Sequence, residues 1–167
     1  AYSELWLSDT PNRPEDLGLM RRVLSSPRHQ VVRNGLFAVR NIANRDVRAA
    51  IEMLRWVDIR QSSAHAEEVL SLFEFDEPIP FSALDTEEVK FFLNGLLPIP
   101  DLSGHSIEAF LSQVSRDYPH ELAEFLVARV EHLITVPNSG YVPCRHGPFI
   151  NVPYQFRNSA ALAEILE

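Results

Sequence analysis

The chain has 167 residues, of which 46% are hydrophobic and 23% are charged, and its formal net charge at pH 7 is −8. A chain of this size and composition can bury a substantial core and typically forms one domain. The single cysteine, Cys144, excludes an internal disulfide framework and a four-cysteine zinc site, so we expect a reducing, cytoplasmic setting. No apolar run reaches the ~20 residues that a membrane helix needs, and we expect no membrane span.

Seven stretches carry the apolar spacing of three and four residues that amphipathic helices show, and each begins with helix-starting residues. Small polar side chains cap a first turn, and proline fits there because its missing N–H is not needed. The expected starts are Pro14; Ser26 as N-cap with Pro27 next; Asn44 capping a helix from Asp46; Ser62 or Ser63; Asp85 or Thr86; Ser103 or Ser106; and Tyr118-Pro119. An eighth helix is expected to open at Asn158-Ser159.

These patterns predict an all-α fold, because no run alternates apolar and polar residues for longer than four or five positions. Helices joined by short connectors prefer antiparallel neighbours, so we expect stacked antiparallel helix pairs in a right-handed α-solenoid or an irregular helical bundle. One segment could depart from this all-α prediction. Residues 141–152 could form a short β-hairpin, with 141–144 paired to 149–152, or remain an extended loop.

We expect a single helical-repeat domain over 1–167 that is a fragment of a longer chain, because its last helix has no terminating residue. The regular part covers about 14–134, a proline-rich loop follows over 135–157, and a further helix starts at 158–167. The sequence Pro-Ile-Pro occurs at 78–80 and again twenty residues later, which suggests repeated units of about 40 residues per helix pair.

The segment from Ser26-Pro27 to Ala43, with its continuation 41–50 where one helix would turn into the next, resembles HEAT-like α-solenoid regions of larger bacterial proteins. The resemblance covers Pro27 to Ile134. It implies stacked helix pairs and a scaffold role, since members of this broad class mostly hold other macromolecules. In some bacterial signalling and defence NTPases such repeats serve as regulatory arms, so a regulatory role is also implied.

The residues that usually carry catalysis or bind metal are scattered along this chain. The histidines make no His-Glu-x-x-His pair and never fall four apart; they are His29, His65, His105, His120, His132 and His146. Acidic pairs such as Glu67-Glu68 and Glu87-Glu88 fit the first turns of helices, where they complement the helix dipole. We therefore predict no catalytic residue, no metal site, no cofactor and no small-molecule ligand.

Charge is divided unevenly along the chain. The stretch from Arg13 to Arg60 carries ten arginines and a net charge of +5, whereas the residues after Arg60 carry −11. Two arginine pairs are each spaced by seven residues, which places both members near one helix face, and these are the candidate binding residues Arg33, Arg40, Arg48 and Arg55. Arginine forks bind carboxylate or phosphate. The alternative is that these arginines pair with acidic residues of the same chain or form a solvated surface.

Together these features predict a non-catalytic protein-interaction or regulatory scaffold module built from helical repeats. We expect a protein partner, which could present an acidic segment to the arginine face. A HEAT-like nucleic-acid-binding domain that uses the same face is the alternative, and steep salt dependence of binding would distinguish it.

Overall fold

The computed structural model describes residues 14–74, 76–136 and 140–143. Within these ranges the chain forms seven α-helices and three short 3₁₀ helices and contains no β-strand, which confirms the predicted all-α fold. The α-helices are α1 Pro14–Leu24, α2 His29–Ala43, α3 Val47–Leu54, α4 Ser63–Leu70, α5 Thr86–Leu96, α6 His105–Asp117 and α7 Pro119–Thr135. The 3₁₀ helices are Ile59–Gln61, Ser71–Phe73 and Phe81–Ala83.

Contacts divide the chain into two compact units, Ala1–Ala83 and Leu84–Glu167. In the first unit α2 packs against α1, α3 and α4. In the second unit α7 packs against α5 and α6. Helices that follow one another directly therefore pack together at α1–α2, α2–α3 and α6–α7, as their short connectors predict. The expectation of a single domain over 1–167 stays a prediction.

Three helix starts are capped by a side chain, and two of these caps, Ser62 and Asp85, were predicted from the sequence. The Asp46 carboxylate accepts a hydrogen bond from the Ala49 N–H at the start of α3. The Ser62 hydroxyl accepts from the backbone N–H of His65 in α4. At α5 the caps are reciprocal, since Asp85 accepts from the Glu88 N–H while the Glu88 carboxylate accepts from the Asp85 N–H.

Other predicted caps were wrong by a residue or two. Helix α2 begins at His29 and not at Pro27, because the Ser26 hydroxyl accepts from the Arg28 N–H and closes a turn before the helix. Asn44 follows the end of α2 and does not cap α3. Helix α6 has Gly104 at its N-cap. These errors move the helix ends but leave each apolar stripe in place.

Each unit has its own apolar core. In the first, Leu24, Val32, Val39, Ile51 and Leu70 are fully buried. The α1–α2 contact is close at Gly35, where a Cβ would lie 2.7 Å from Cγ1 of Val23 and 2.9 Å from Cδ2 of Leu24. A glycine on α2 therefore lets the two helices approach each other.

The second unit is built around aromatic residues. Phe92 of α5 and Phe110 of α6 are buried and meet edge to face, with ring centroids 6.0 Å apart. Arg129 of α7 is also fully buried and donates hydrogen bonds to backbone carbonyls at the end of α5, in the α5–α6 connection and after residue 140. The core of this unit thus contains a charged side chain that no sequence pattern indicated.

Some predictions fall outside the described residues. They include the second strand of the hairpin, residues 149–152, and the helix expected over 158–167. Within the described part, Val142 N–H donates to the Pro100 carbonyl, so this stretch is held by the α5–α6 connection. None of the helices in the described ranges has the length and apolar character needed to cross a membrane.

Candidate functional site

Helix α2 presents a mixed charged and aromatic stripe beside its core residues. Spacings of four, four and three residues place the members of this stripe within about 80° of each other around the helix. They are His29, Arg33, Phe37 and Arg40, and we call them the α2 face. Phe37 is 53% exposed although it is a large apolar residue. An exposed aromatic ring between two arginines is the composition that protein interfaces favour.

Glu68 of α4 holds one end of this face. Its Oε1 atom lies 3.4 Å from Nε of Arg33 and 3.6 Å from Nε2 of His29, and the second contact is an ion pair only when the imidazole is protonated. The Ser62 cap begins helix α4, and α4 packs against α2. The position of the Arg33 guanidinium is therefore restrained by a neighbouring helix of the same unit.

The other end of the α2 face is held by the connector that follows α4. Arg40 Nη2 donates to Oε1 of Glu77 at 2.7 Å. The second carboxylate oxygen of Glu77, Oε2, is buried and has no hydrogen-bond partner among the described residues. Arg48 Nη1, from α3, donates to the Ala83 carbonyl at 2.7 Å. Arginines of two helices thus hold the same connector.

At the His29 end of the α2 face, two histidine rings meet. The His29 and His65 rings pack edge to face with centroids 5.4 Å apart. His65 is buried, its Nδ1 lies 2.8 Å from the Ser62 hydroxyl, and its Nε2 is buried without a hydrogen-bond partner within the described ranges. Burial lowers the pKa of His65, the nearby His29 lowers it further, and Asp58 opposes both effects. The neutral imidazole is therefore the favoured form of His65 near neutral pH.

This histidine pair does not resemble a catalytic or metal centre. The Nε2 atoms of both rings are buried, so neither is presented to a substrate from solvent. The described residues contain no group of three or more histidine, cysteine, aspartate or glutamate side chains arranged to hold a metal ion. The rings instead form part of the packing between α2 and α4.

The four arginines proposed as a binding face are all exposed, but they have different surroundings. Arg33 and Arg40 lie on α2 and form ion pairs with glutamates of the same unit, as one of the alternatives above expects. Arg48 reaches a backbone carbonyl, and Arg55 follows the end of α3. The function of the four as a docking surface stays a prediction.

The sequence analysis missed three members of this arrangement: Phe37, Glu77 and the His29–His65 contact. Phe37 falls at helical spacing from Arg33, so its place beside the arginines was readable from the sequence. The other two depend on how α4 and its connector pack onto α2, and no spacing in the sequence reports that. Comparisons with protein-family models, curated proteins and solved structures find no match to this chain.

Proposed function

We propose that this chain is a non-catalytic, HEAT-like helical module that binds another protein through the α2 face, in the cytoplasm of a bacterial cell. The observation that carries the proposal is the exposure of Phe37 between Arg33 and Arg40. Its ring is 53% exposed, and each arginine beside it is held by a glutamate of the same unit.

The restrained arginines favour recognition of a structured surface. A long flexible side chain loses conformational freedom when it binds, and an arginine that is already held in place loses less. Each guanidinium has five N–H donors, and the contact with one glutamate uses only part of them. Arg33 and Arg40 can therefore each donate to an acceptor on a binding partner while they keep their internal ion pair.

The spacing and polarity of the residues on the α2 face define which partner segment would fit it. Arg33 and Arg40 are seven residues apart on one helix, which corresponds to about 10 Å along the axis. The complementary partner is a segment with an apolar residue that covers Phe37 and acidic or carbonyl groups on either side of it. Aromatic and arginine residues at the centre of an interface commonly contribute most of the binding energy.

The same contacts disfavour a nucleic-acid partner. Phosphate binding depends on unneutralised positive charge, and Glu68 and Glu77 place carboxylates within 4 Å of the arginines that would supply it. A backbone phosphate would be repelled by these carboxylates, whereas an apolar anchor on Phe37 would not. We therefore place protein binding first and make nucleic acid an outcome of the test.

The test uses a photo-crosslinking amino acid at position 37 in cells that express the chain. We expect crosslinks to a defined protein partner, and we expect the Arg33→Ser/Arg40→Ser variant to reduce the crosslinked product by about tenfold, the scale of 1.4 kcal/mol. The matched control is Arg116→Ser, since Arg116 is exposed and pairs with the adjacent Asp117 in the other unit.

Two results would refute this proposal. The first is a crosslinking pattern that the Arg33/Arg40 variant and the Arg116 control change equally. The second is tight binding of labelled duplex or single-stranded DNA or RNA that weakens steeply with salt and is lost in the Arg33/Arg40 variant. That result would assign the α2 face to phosphate recognition.

A further inference from the structure

One carboxylate serves two basic side chains at the start of the α2 face. Oε1 of Glu68 lies 3.4 Å from Nε of Arg33 and 3.6 Å from Nε2 of His29, and both distances are longer than a hydrogen bond of about 2.9 Å. The ring of His65 packs against that of His29, with centroids 5.4 Å apart. We call these four residues the Glu68 cluster. When both imidazoles are neutral, the charges of the cluster cancel.

The imidazole pair of this cluster takes up its first proton on His29. Burial lowers the pKa of His65 and the neighbouring His29 lowers it further, whereas the side chain of His29 is 38% exposed. The Ser62 oxygen already accepts from the His65 backbone N–H, so its hydroxyl proton can be donated to Nδ1 of a neutral His65. A second proton would place two positively charged rings in contact, and their repulsion disfavours it.

Protonation gives His29 a hydrogen bond to satisfy. An imidazolium carries a proton on both nitrogens, so Nε2 becomes a donor whichever tautomer the neutral ring had. This Nε2 atom is buried and has no hydrogen-bond partner among the described residues. The carboxylate beside it is that of Glu68, and a charge-assisted hydrogen bond would shorten the contact. Two cations, His29 and Arg33, then share one carboxylate, and the cluster carries a net positive charge.

We propose that the Glu68 cluster is a proton-operated control of the α2 face, in which one proton on His29 draws Glu68 away from Arg33 and strengthens binding of an acidic partner. Only the last step rests on the proposed function, because the proton uptake and the shift of Glu68 concern this chain alone. The direction follows from charge. A partner carboxylate beside Arg33 favours protonated His29, so the affinity rises as pH falls through the range in which imidazoles titrate, about pH 8 to 5.

Other charges near the cluster come from the elements that pack on α2 and α4. The first 3₁₀ helix contributes the exposed Arg60 and its cap Asp58, and Asp58 opposes the effect of burial on His65. The 3₁₀ helix Ser71–Phe73 has no ionisable side chain. Within the described ranges, the charged side chains of α1 and α3 form no ion pair with the Glu68 cluster; they are Asp16, Arg21, Arg22, Arg48 and Glu52. Glu68 is therefore the carboxylate that responds to His29.

An NMR titration of the full chain tests the first step without any partner. The side-chain Nε–H signal of Arg33 and the ring signals of His29 are followed from about pH 8 to about pH 5. We expect the Arg33 signal to shift with the same midpoint as the His29 ring, because Glu68 moves between them. The Nε–H signal of Arg40 is the internal control, since Arg40 pairs with Glu77 and should not shift in this range.

Two substitutions assign the shift to the cluster. His29→Gln removes the group that takes up the proton, and Glu68→Gln removes the shared charge, so each should abolish the Arg33 shift. Glu68 is 28% exposed and glutamine keeps its shape, so this variant serves even if His29→Gln disturbs the histidine contact. His120→Gln, at an exposed position of the other unit, is the matched control. A constant Arg33 signal in the wild type, or a shift that persists in Glu68→Gln, would overturn the proposal.

Photo-crosslinking at position 37 tests the last step. His29→Arg carries a permanent charge and His29→Gln carries none, so we expect about two- to fivefold more crosslinked product with His29→Arg, the scale of one exposed charge pair. The same two substitutions at His120 should give equal yields. Equal yields from the two His29 variants, with a normal crosslink in the wild type, would refute the control of binding and leave the proposed function intact. Absence of any crosslink in the wild type would refute the proposed function itself.

Discussion

Arg129 provides the sharpest test of what holds the second unit together. Its side chain is fully buried, and its guanidinium donates to carbonyls of two separate stretches of the chain. The acceptors are Leu96 at 2.9 Å, Leu97 at 3.2 Å, Ile99 at 2.9 Å, Val142 at 2.8 Å and Pro143 at 3.1 Å. The guanidinium carbon also lies 4.3 Å from the centroid of the Tyr141 ring. One residue therefore joins α7 to the end of α5 and to the chain after residue 140.

Arg129→Met removes these donors while it keeps an unbranched side chain of similar length. The bonds to Leu96 and Ile99 are buried, and a hydrogen bond to a charged group contributes about 1.5–3 kcal/mol. Loss of both would cost about 3–6 kcal/mol. Removing the charge also removes its desolvation cost, so we expect a net loss of about 3 kcal/mol. That is a large part of the 5–15 kcal/mol of a typical domain.

Urea unfolding followed by circular dichroism measures this loss. Arg129→Lys should be nearly as destabilising as Arg129→Met, because an ammonium has three donors and cannot match the fork of five carbonyl contacts. Arg116→Met is the control, since that exposed arginine pairs only across an exposed surface with Asp117 and should cost less than about 1 kcal/mol. If Arg129→Met and Arg116→Met had equal unfolding free energies, the assigned role of the buried guanidinium would be refuted.

Gly35→Ala should destabilise the first unit by about 1–3 kcal/mol in urea unfolding, because its Cβ would lie 2.7 Å from Cγ1 of Val23, a side chain with little freedom to move. Gly18→Ala has open space around it in α1 and should instead stabilise by about 0.5–1 kcal/mol; the same sign for both would contradict the close approach. Burial, reinforced by His29, lowers the pKa of His65, so unfolding takes up a proton below about pH 6.5 and stability falls as pH falls. His65→Leu should flatten the pH dependence of unfolding below about pH 6.5, and an unchanged curve would disprove this link.

The helices were predictable because their signals are local. The number and order of the seven described helices follow from apolar spacing and from caps such as Ser62 and Asp85, where one side chain and one turn decide the start. Errors arose where two local solutions compete. Ser26 could cap a helix or close a turn onto Arg28, and only the packing of α2 decides between them.

The candidate site was predictable only in part. Arg33 and Arg40 share a helix face by spacing alone, so the sequence could place them together. Their glutamate partners come from positions more than thirty residues away in the chain, and such pairs depend on how helices pack. Arg129 shows the same limit more strongly, because backbone carbonyls carry no sequence signal and no charge pattern marks their partner.

The α2 face lies on a helix that also fills the core of the first unit, where Val32 and Val39 are buried. Replacing the exposed Phe37 therefore removes little buried area and should change folding stability by less than about 0.5 kcal/mol. Loss of partner binding without loss of stability would then be assigned to the surface and not to the fold. This separation between core residues and exposed residues of one helix makes the proposed binding face testable by single substitutions.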